Sequence, residues 1–272
     1  MTDRYAVMGN PVAHSRSPRI HAQFARETGQ ELVYTTLLVE PGHFKEAVKS
    51  FFATGGKGLN ITVPFKQEAW ALADHCSEQA ALAGAVNVLF CDAAGRLQGH
   101  NTDGIGLVRD ITRNQGGVLA GKSVLVLGAG GATRGILLPI LQEQPAAICV
   151  ANRTISKAEA LVEVFSPYGK VSACGFDALA GKHFDWVINA TAASLQGELP
   201  PLPPELLNAD AWCYDLMYSK EPTVFCQWAL HHGAHKALDG LGMLVEQAAE
   251  SFLLWRGVRP DTTAVMAELR AG

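Results

Sequence analysis

Hydrophobic and polar positions along the chain follow two alternating patterns. Short apolar runs such as "YAVMG" (5–9) and "LVYTTLLV" (32–39) have the composition of strands, and stretches with apolar residues every three to four positions lie between them. The first such stretch, "PRIHAQFARETG" (18–29), predicts a helix with Ser17 as N-cap, Pro18 at the first helical position and a stop at Gly29. Strands alternating with helices over the whole length predict an α/β protein.

The same pattern divides the chain into two α/β stretches and a helical end. The first stretch closes with two strands, "AVNVLF" (85–90) and "LQGHN" (97–101), joined by a hairpin-like connection. A helix is predicted over 103–114, and the second stretch then begins at residue 122. After residue 240 the pattern changes to a long amphipathic helix (239–257), followed by a last helix that Pro260 is predicted to begin.

The strand "LNITVPFK" (59–66) ends in an unusual way. Alternation predicts that Asn60 and Thr62 share one face of the strand, opposite its apolar residues. Pro64 then stops the hydrogen-bond ladder, and Lys66 follows near the strand end, where α/β sheets bind their ligands. A half-exposed strand could show the same alternation without any functional role.

Two further polar residues stand out beside apolar strands. Asn87 interrupts the apolar strand 85–90, where an amide needs hydrogen-bond partners or a ligand. Asp103 follows a strand and precedes a helix, so it is predicted at a helix N-cap, and spacing alone does not separate capping from catalysis. Together with Lys66 these groups suit a neutral polyol ring, and a lysine beside a carboxylate can exchange a proton in a carbonyl–alcohol conversion.

The stretch "VLVLGAGGATRG" (124–135) is a strand, a glycine-rich turn and a helix in direct succession. Gly128 and Gly130 allow a tight turn and a close approach of a diphosphate to the helix N-terminus, although Thr133 replaces the third glycine of the usual dinucleotide motif. A turn that is glycine-rich for packing alone is the other interpretation. The context of strand, turn and helix favours a dinucleotide site.

The end of the next strand predicts which dinucleotide is bound. NAD sites usually place a carboxylate about 20 residues after the glycines, to hold the ribose 2′-hydroxyl. Here "ANRTISKA" (151–158) offers Arg153 and Lys157 and no carboxylate, which favours a 2′-phosphate. The predicted cofactor is NADP(H), which supplies a hydride; a solvated basic helix start is the alternative.

Composition and charge argue against nucleic-acid-binding, membrane-spanning and disulfide-rich secreted proteins. The formal net charge is −4 with 18% charged residues and no basic stripe, which argues against nucleic-acid binding. The first residues lack the pattern of a signal peptide, and no apolar run approaches the ~20 residues of a membrane span. Six scattered cysteines without a CxxC pair predict reduced thiols in a cytoplasmic protein.

One histidine-rich segment, "HHGAH" (231–235), has a spacing that could serve a metal. His231 and His235 are four residues apart, but Gly233 between them weakens a helix and no carboxylate motif accompanies them. The sequence therefore predicts no metal site.

Eight motifs in order give the chain a resemblance to the shikimate dehydrogenase family over essentially its whole length. They are "GNPVAHSRSPRIH", "LNITVPFK", "GAVN", "NTDG", "GAGGATRG", "NRT", "YDLMY" and "DGLGMLVEQAA". The resemblance implies reduction of 3-dehydroshikimate to shikimate with NADPH, on the route to chorismate and the aromatic amino acids. It also implies that Lys66 is the acid/base, with Asp103 as its partner.

The resemblance assigns the remaining site residues as well. It implies a substrate carboxylate bound by Ser15 and Ser17 with help from Tyr218, and ring hydroxyls bound by Asn60, Thr62, Asn87, Asp103 and Gln247. Residues implied to line the cofactor site, with Glu78 at its edge, are Gly128, Ala129, Gly130, Gly131, Ala132, Asn152, Arg153, Thr154, Lys157, Leu216 and Gly240.

The resemblance further implies a two-domain fold. An N-terminal mixed α/β substrate domain, 1–102, would be completed by the C-terminal helices at 241–272, and a Rossmann-type NADP domain, 103–240, would be inserted between them. The active site would be the cleft between the domains. The family resemblance permits a monomer or a homodimer.

Two other functions share most of these features. A quinate/shikimate dehydrogenase paralogue would keep the lysine and the aspartate, but that group tends to accept NAD and more often carries an acidic residue in the cofactor loop. A non-catalytic NADP-binding sensor would be expected to have lost Lys66 or Asp103, and both are present.

Overall fold

The computed structural model describes residues 2–191, 193 and 197–271, and the chain divides into two compact units. The first unit consists of Met1–Gly106 and Val245–Gly272, and the second is Leu107–Leu244. The junctions expected at 102/103 and 240/241 lie a few residues from these divisions. In the described part of the chain, no helix is long and apolar enough to cross a membrane.

The elements alternate as the hydrophobic pattern predicts. Up to residue 100 they are β1 Asp3–Gly9, α1 Ser17–Thr28, β2 Leu32–Leu38, α2 Phe44–Ala53, β3 Gly56–Ile61, α3 Lys66–Leu72, β4 His75–Cys76, α4 Glu78–Ala83, β5 Val88–Cys91 and β6 Leu97–His100. The chain continues with α5 Asp103–Arg109, a π-helical turn Asp110–Asn114, β7 Ser123–Leu127, α6 Gly131–Gln142, β8 Ala147–Ala151, α7 Ile155–Phe165, β9 Val171–Cys174, β10 Phe184–Asn189, β11 Leu207–Asp215, α8 Val224–His231, β12 Lys236–Leu238, α9 Leu241–Arg256 and α10 Thr263–Ala271. Short 3₁₀ turns lie at Ser166–Tyr168 and Phe176–Leu179.

The first unit contains a mixed sheet with the strand order β2-β1-β3-β5-β6-β4. β1 pairs in parallel with β2 and β3, whereas β5 runs antiparallel to both β3 and β6. β3 is therefore a central strand, and every residue from Gly58 to Ile61 is buried. This explains why its polar residue, Asn60, must find partners inside the protein.

The second unit contains a fully parallel sheet with the order β12-β11-β10-β7-β8-β9. The strand order reverses beside β7, which is the topological switch point where open α/β sheets bind ligands at the carboxyl ends of their strands. β7 is apolar along its length because helices cover both faces of such a sheet. The predicted α/β class, with a Rossmann-like second unit, is confirmed.

Several local expectations are wrong at element boundaries. Ser17 is the first residue of α1 and not its cap, which is Arg16; the Ser15 hydroxyl instead accepts the Ser17 N–H at 3.2 Å. α10 begins at Thr263, three residues after Pro260. The 103–114 helix changes to a π-helical turn at Asp110. Boundary positions depend on tertiary contacts that periodicity does not contain.

Candidate active site and dinucleotide site

Lys66 and Asp103 form an ion pair in the first unit. The Nζ atom of Lys66 donates to Oδ2 of Asp103 at 2.6 Å, and the side chains are 29% and 12% exposed. The ammonium group is thus reachable, while the carboxylate is mostly shielded from water. Such a pair can hold a lysine in place to give a proton to an oxygen atom, or to take one from it.

The turn after β3 positions Lys66. The Phe65 N–H donates to the Thr62 carbonyl at 3.0 Å and closes the turn that contains Pro64, so that α3 starts at Lys66 itself. The Lys66 carbonyl accepts the Val86 N–H at 2.9 Å, which anchors this helix start beside the segment that carries Asn87. The alternation of apolar and polar side chains predicted for the strand stops before Val63, which lies in this turn and is 59% exposed.

Asn87 holds the other oxygen of Asp103. It lies immediately before β5, not inside a strand as predicted, and it is 2% exposed. Its Nδ2 atom donates to Oδ1 of Asp103 at 2.8 Å and its Oδ1 atom accepts the Thr102 N–H at 2.9 Å. Asp103 is the first residue of α5, and its carboxylate accepts hydrogen bonds from Lys66 and Asn87. Both oxygens of this carboxylate therefore have side-chain donors, and the catalytic role of Asp103 stays a prediction.

Gln247 and Asn60 complete a buried polar network. Oε1 of Gln247 lies 3.4 Å from Nδ2 of Asn87, and the Gln247 carbonyl accepts the Thr102 hydroxyl at 3.1 Å. Nδ2 of Asn60 donates to the Ser251 hydroxyl at 3.0 Å and to the Asn87 carbonyl at 3.2 Å. The structure therefore connects Asn60, Lys66, Asn87, Asp103 and Gln247, five of the predicted site residues, through hydrogen bonds.

The other predicted substrate residues lie at three places. Ser15 and Ser17 are adjacent at the start of α1, joined by the hydrogen bond described above. Thr62 follows β3 and packs against Gly9. A Cβ atom on Gly9 would lie only 2.3 Å from the Thr62 methyl carbon. Tyr218 follows β11 in the second unit and is half-buried. The ligand contacts of these four residues stay predictions.

The glycine-rich turn of the second unit lies at the carboxyl end of β7. Gly128 has φ +99°, a conformation that side-chain-bearing residues rarely adopt, and the Thr133 hydroxyl donates to its carbonyl at 2.9 Å. Thr133 therefore stabilises the turn at the position where the usual dinucleotide motif has its third glycine. A Cβ atom on Gly130 or Gly131 would meet nothing within 4 Å, and none of the described side chains caps α6.

These features fit a dinucleotide diphosphate. The first N–H groups of α6 and its positive dipole end face an open turn, next to the switch point of the sheet. After β8, Arg153, Thr154 and Lys157 are exposed, and the Asn152 side chain donates to the Thr154 carbonyl at 2.8 Å. The donor set suits a 2′-phosphate beside the adenosine ribose.

Two more predicted cofactor residues meet at the same edge of the sheet. A Cβ atom on Gly240 would lie 2.2 Å from the Leu216 carbonyl oxygen, so only glycine allows this approach. The Gly240 N–H donates to the Met217 carbonyl at 2.9 Å. Glu78, by contrast, belongs to the first unit, where it is an exposed residue at the start of α4, and its cofactor role stays a prediction.

The sequence reasoning missed several residues that support these sites. Thr102, Ser251 and Tyr34 hydrogen-bond to the predicted substrate residues, and Asp215 accepts the Met217 N–H at 3.1 Å beneath the Leu216 turn. Ser251 lies four residues after Gln247 on α9, so helical periodicity could have found it. Nothing in the local sequence distinguishes Tyr34 from an ordinary core tyrosine.

Comparison with known families gives matches to three profiles along the chain. Residues 7–89 match the shikimate dehydrogenase substrate binding domain, and residues 110–196 match shikimate / quinate 5-dehydrogenase. Residues 240–270 match the shikimate 5′-dehydrogenase C-terminal domain. A curated relative named shikimate dehydrogenase (NADP(+)), from Alkalilimnicola ehrlichii, is 60% identical over 270 residues, covering 99% of each chain.

Solved structures show the same similarity. The structure of an Ael1 enzyme from Pseudomonas putida is 47% identical, with a TM-score of 0.93 and 98% of each chain covered. Shikimate 5-dehydrogenase from Thermus thermophilus, solved in complex with NADP(H) and shikimate, is 33% identical, with a TM-score of 0.88 and 99% of each chain covered.

Proposed function

Because the chain belongs to the shikimate dehydrogenase family, we propose that it catalyses the reversible NADPH-dependent reduction of 3-dehydroshikimate to shikimate. The observation that carries this proposal is the 2.6 Å contact between Lys66 and Asp103 within a network of buried amides. That network offers a proton-transfer group beside several groups able to bind hydroxyls, which a polyhydroxylated cyclic ketone requires. The reaction belongs to the pathway to chorismate and the aromatic amino acids.

Lys66 is the proposed acid/base. During reduction its ammonium group gives a proton to the carbonyl oxygen as that oxygen becomes an alcohol, and during oxidation the neutral amine takes the proton back. Asp103 holds the ammonium group in place and stabilises its charge, while Asn87 fixes the orientation of the carboxylate. Each oxygen of Asp103 therefore has a defined donor before substrate arrives.

The remaining predicted residues have binding roles in this proposal. Ser15 and Ser17, with Tyr218, bind the substrate carboxylate through hydroxyl groups, and Asn60, Thr62, Asn87 and Gln247 bind ring hydroxyls. Both amide hydrogens of Asn60 are donated to the Asn87 carbonyl and the Ser251 hydroxyl. Asn60 can therefore only accept a hydrogen bond from a substrate hydroxyl, through Oδ1.

NADP(H) is the proposed cofactor, and when bound it supplies the hydride for the carbonyl carbon. The N-terminus of α6 after Gly130 holds the diphosphate, and Arg153 and Lys157 attract the 2′-phosphate. The exposed basic pair also argues against the quinate/shikimate paralogue, for which an acidic residue at this position is expected.

An absorbance assay at 340 nm tests the function directly. The protein is given shikimate or quinate, each with NADP⁺ or NAD⁺, and the initial rates are compared over a range of substrate concentrations. The proposal expects the highest kcat/KM with shikimate and NADP⁺. Faster turnover of quinate with NAD⁺ would favour the paralogue, and binding of NADP⁺ without any turnover would favour the sensor.

Two further expectations accompany this function. A biosynthetic enzyme that uses NADPH and carries six free cysteines is expected in the cytoplasm, which cell fractionation would test. The family resemblance permits a monomer or a homodimer, and light scattering coupled to gel filtration would distinguish them.

A further inference from the structure

Asn60 is held in one orientation by three hydrogen bonds. Its Nδ2 atom donates to the Asn87 carbonyl, which can only accept, so the amide nitrogen must face that side. Oδ1 therefore faces Tyr34, whose hydroxyl donates to it at 2.7 Å. Tyr34 thus supplies the donor that completes the orientation of a proposed substrate-binding amide.

The hydroxyl of Tyr34 is buried, and burial raises its pKa well above the usual value. The phenol therefore stays protonated at neutral pH. Its single hydrogen is given to Oδ1 of Asn60, so Tyr34 is the donor in this bond.

The ring of Tyr34 is fixed by its neighbours. It stacks on the imidazole of His21 with a centroid distance of 4.2 Å and an interplanar angle of 5°. Tyr34 is 8% exposed on the edge strand β2, and His21 is 1% exposed on α1, the helix that begins with Ser17. The stacked pair therefore connects α1 to the sheet beside the hydrogen bond between Tyr34 and Asn60.

We infer that Tyr34 is a positioning residue that orients the hydroxyl-binding Asn60 beside α1, the helix that begins with the carboxylate-binding Ser17. This inference rests on the proposed function, because it assumes that these two residues bind the two ends of one ring. Among the described hydrogen bonds Tyr34 reaches Asn60 and not the Lys66–Asp103 pair, so its loss is expected to weaken substrate binding more than proton transfer.

The test compares two tyrosine-to-phenylalanine variants. Tyr34→Phe keeps the stacked ring and removes only the hydroxyl. Tyr5→Phe is the matched control, because Tyr5 is directly opposite Tyr34 in the β1–β2 register, is 3% exposed and hydrogen-bonds to Arg256. Thermal unfolding and circular dichroism establish that both variants are folded.

The inference expects the KM for shikimate to rise about tenfold in Tyr34→Phe, with kcat and the KM for NADP⁺ changed less than about threefold. Tyr5→Phe is expected to keep the wild-type KM for shikimate even if its Tm falls. In an Asn60→Ala background, adding Tyr34→Phe is expected to raise the KM for shikimate by a smaller factor than Tyr34→Phe does alone, because the group that it positions is missing.

The outcomes separate this inference from the function on which it rests. An unchanged KM in Tyr34→Phe, or an equal rise in both phenylalanine variants, overturns the positioning role and leaves the dehydrogenase proposal standing. If the wild-type protein neither binds nor oxidises shikimate, the proposed function fails and the inference fails with it.

Discussion

Lys66 and Asp103 are 37 residues apart in the chain, and their charged groups lie 2.6 Å apart. One begins α3 after a turn, and the other begins α5. Because both side chains project from helix starts, small changes in side-chain length or in the turn should break their contact. The pair is therefore a sensitive point at which to test the proposed chemistry.

Replacing Lys66 by alanine is expected to lower kcat by about 10²- to 10⁴-fold, the usual contribution of a general acid–base group. Shikimate should still bind, since the hydroxyl-binding residues remain, and equilibrium titration would measure this. Lys57→Ala is the control, because Lys57 is an exposed lysine on β3, the strand that precedes the Lys66 turn. Turnover close to wild type in the Lys66 variant would remove this lysine from the mechanism.

Replacing Asn87 by alanine is expected to lower kcat/KM about 10- to 100-fold, because a mostly buried carboxylate loses its donor and its orientation. Steady-state kinetics with shikimate would measure the loss. Asn208→Ala is a matched control, since Asn208 also donates to a carboxylate, that of Asp185, at 3.0 Å in the second unit. Equal activity in the two variants would contradict the role given to Asn87.

Replacing Arg153 by alanine is expected to raise the KM for NADPH about tenfold, through loss of a charge-assisted hydrogen bond. The KM for NADH should stay unchanged, because NADH has no 2′-phosphate. Lys170→Ala, at another exposed basic position of the second unit, should leave both constants as they are. A similar rise for both cofactors would show that Arg153 does not bind the 2′-phosphate.

His21 should make the free energy of unfolding depend on pH. Burial lowers its pKa from 6.5 to about 3, with the Asn60 side chain opposing part of the shift. Between these values the unfolded chain binds a proton that the folded protein does not, so His21 costs stability as the pH falls from 6.5 towards 3. The maximum slope is ~1.4 kcal/mol per pH unit, and the contribution is absent above pH 6.5.

Urea unfolding at pH 7.0, 5.5 and 4.5 would measure this effect in wild type and in His21→Phe, which keeps a ring in the stack. Between pH 7.0 and 4.5 the wild type is expected to lose about 2–3 kcal/mol more unfolding free energy than His21→Phe does. His75→Gln, at an exposed histidine of the first unit, should follow the wild type. Parallel curves for wild type and His21→Phe would contradict the prediction.

The element types, the α/β class and the chemistry of the candidate site residues could be predicted from the sequence alone. Periods of two and of three to four residues are local properties, and the glycine-rich turn "GAGGA" needs only its own strand and helix to be recognised. Lys66 and Asp103 were found because each follows a strand, and the resemblance to a family gave them their roles.

The pairing of side chains that are distant in the chain depends on the tertiary structure. Tyr34 and Asn60 are 26 residues apart, and Asn60 and Ser251 are 191 apart, so their contacts depend on the register of β2, β1 and β3 and on the packing of α9. The tertiary structure also sets the partners of both oxygens of Asp103 and of both amide hydrogens of Asn60. Hydrogen bonds depend on distances of a few tenths of an ångström, and a one-dimensional pattern does not contain those distances.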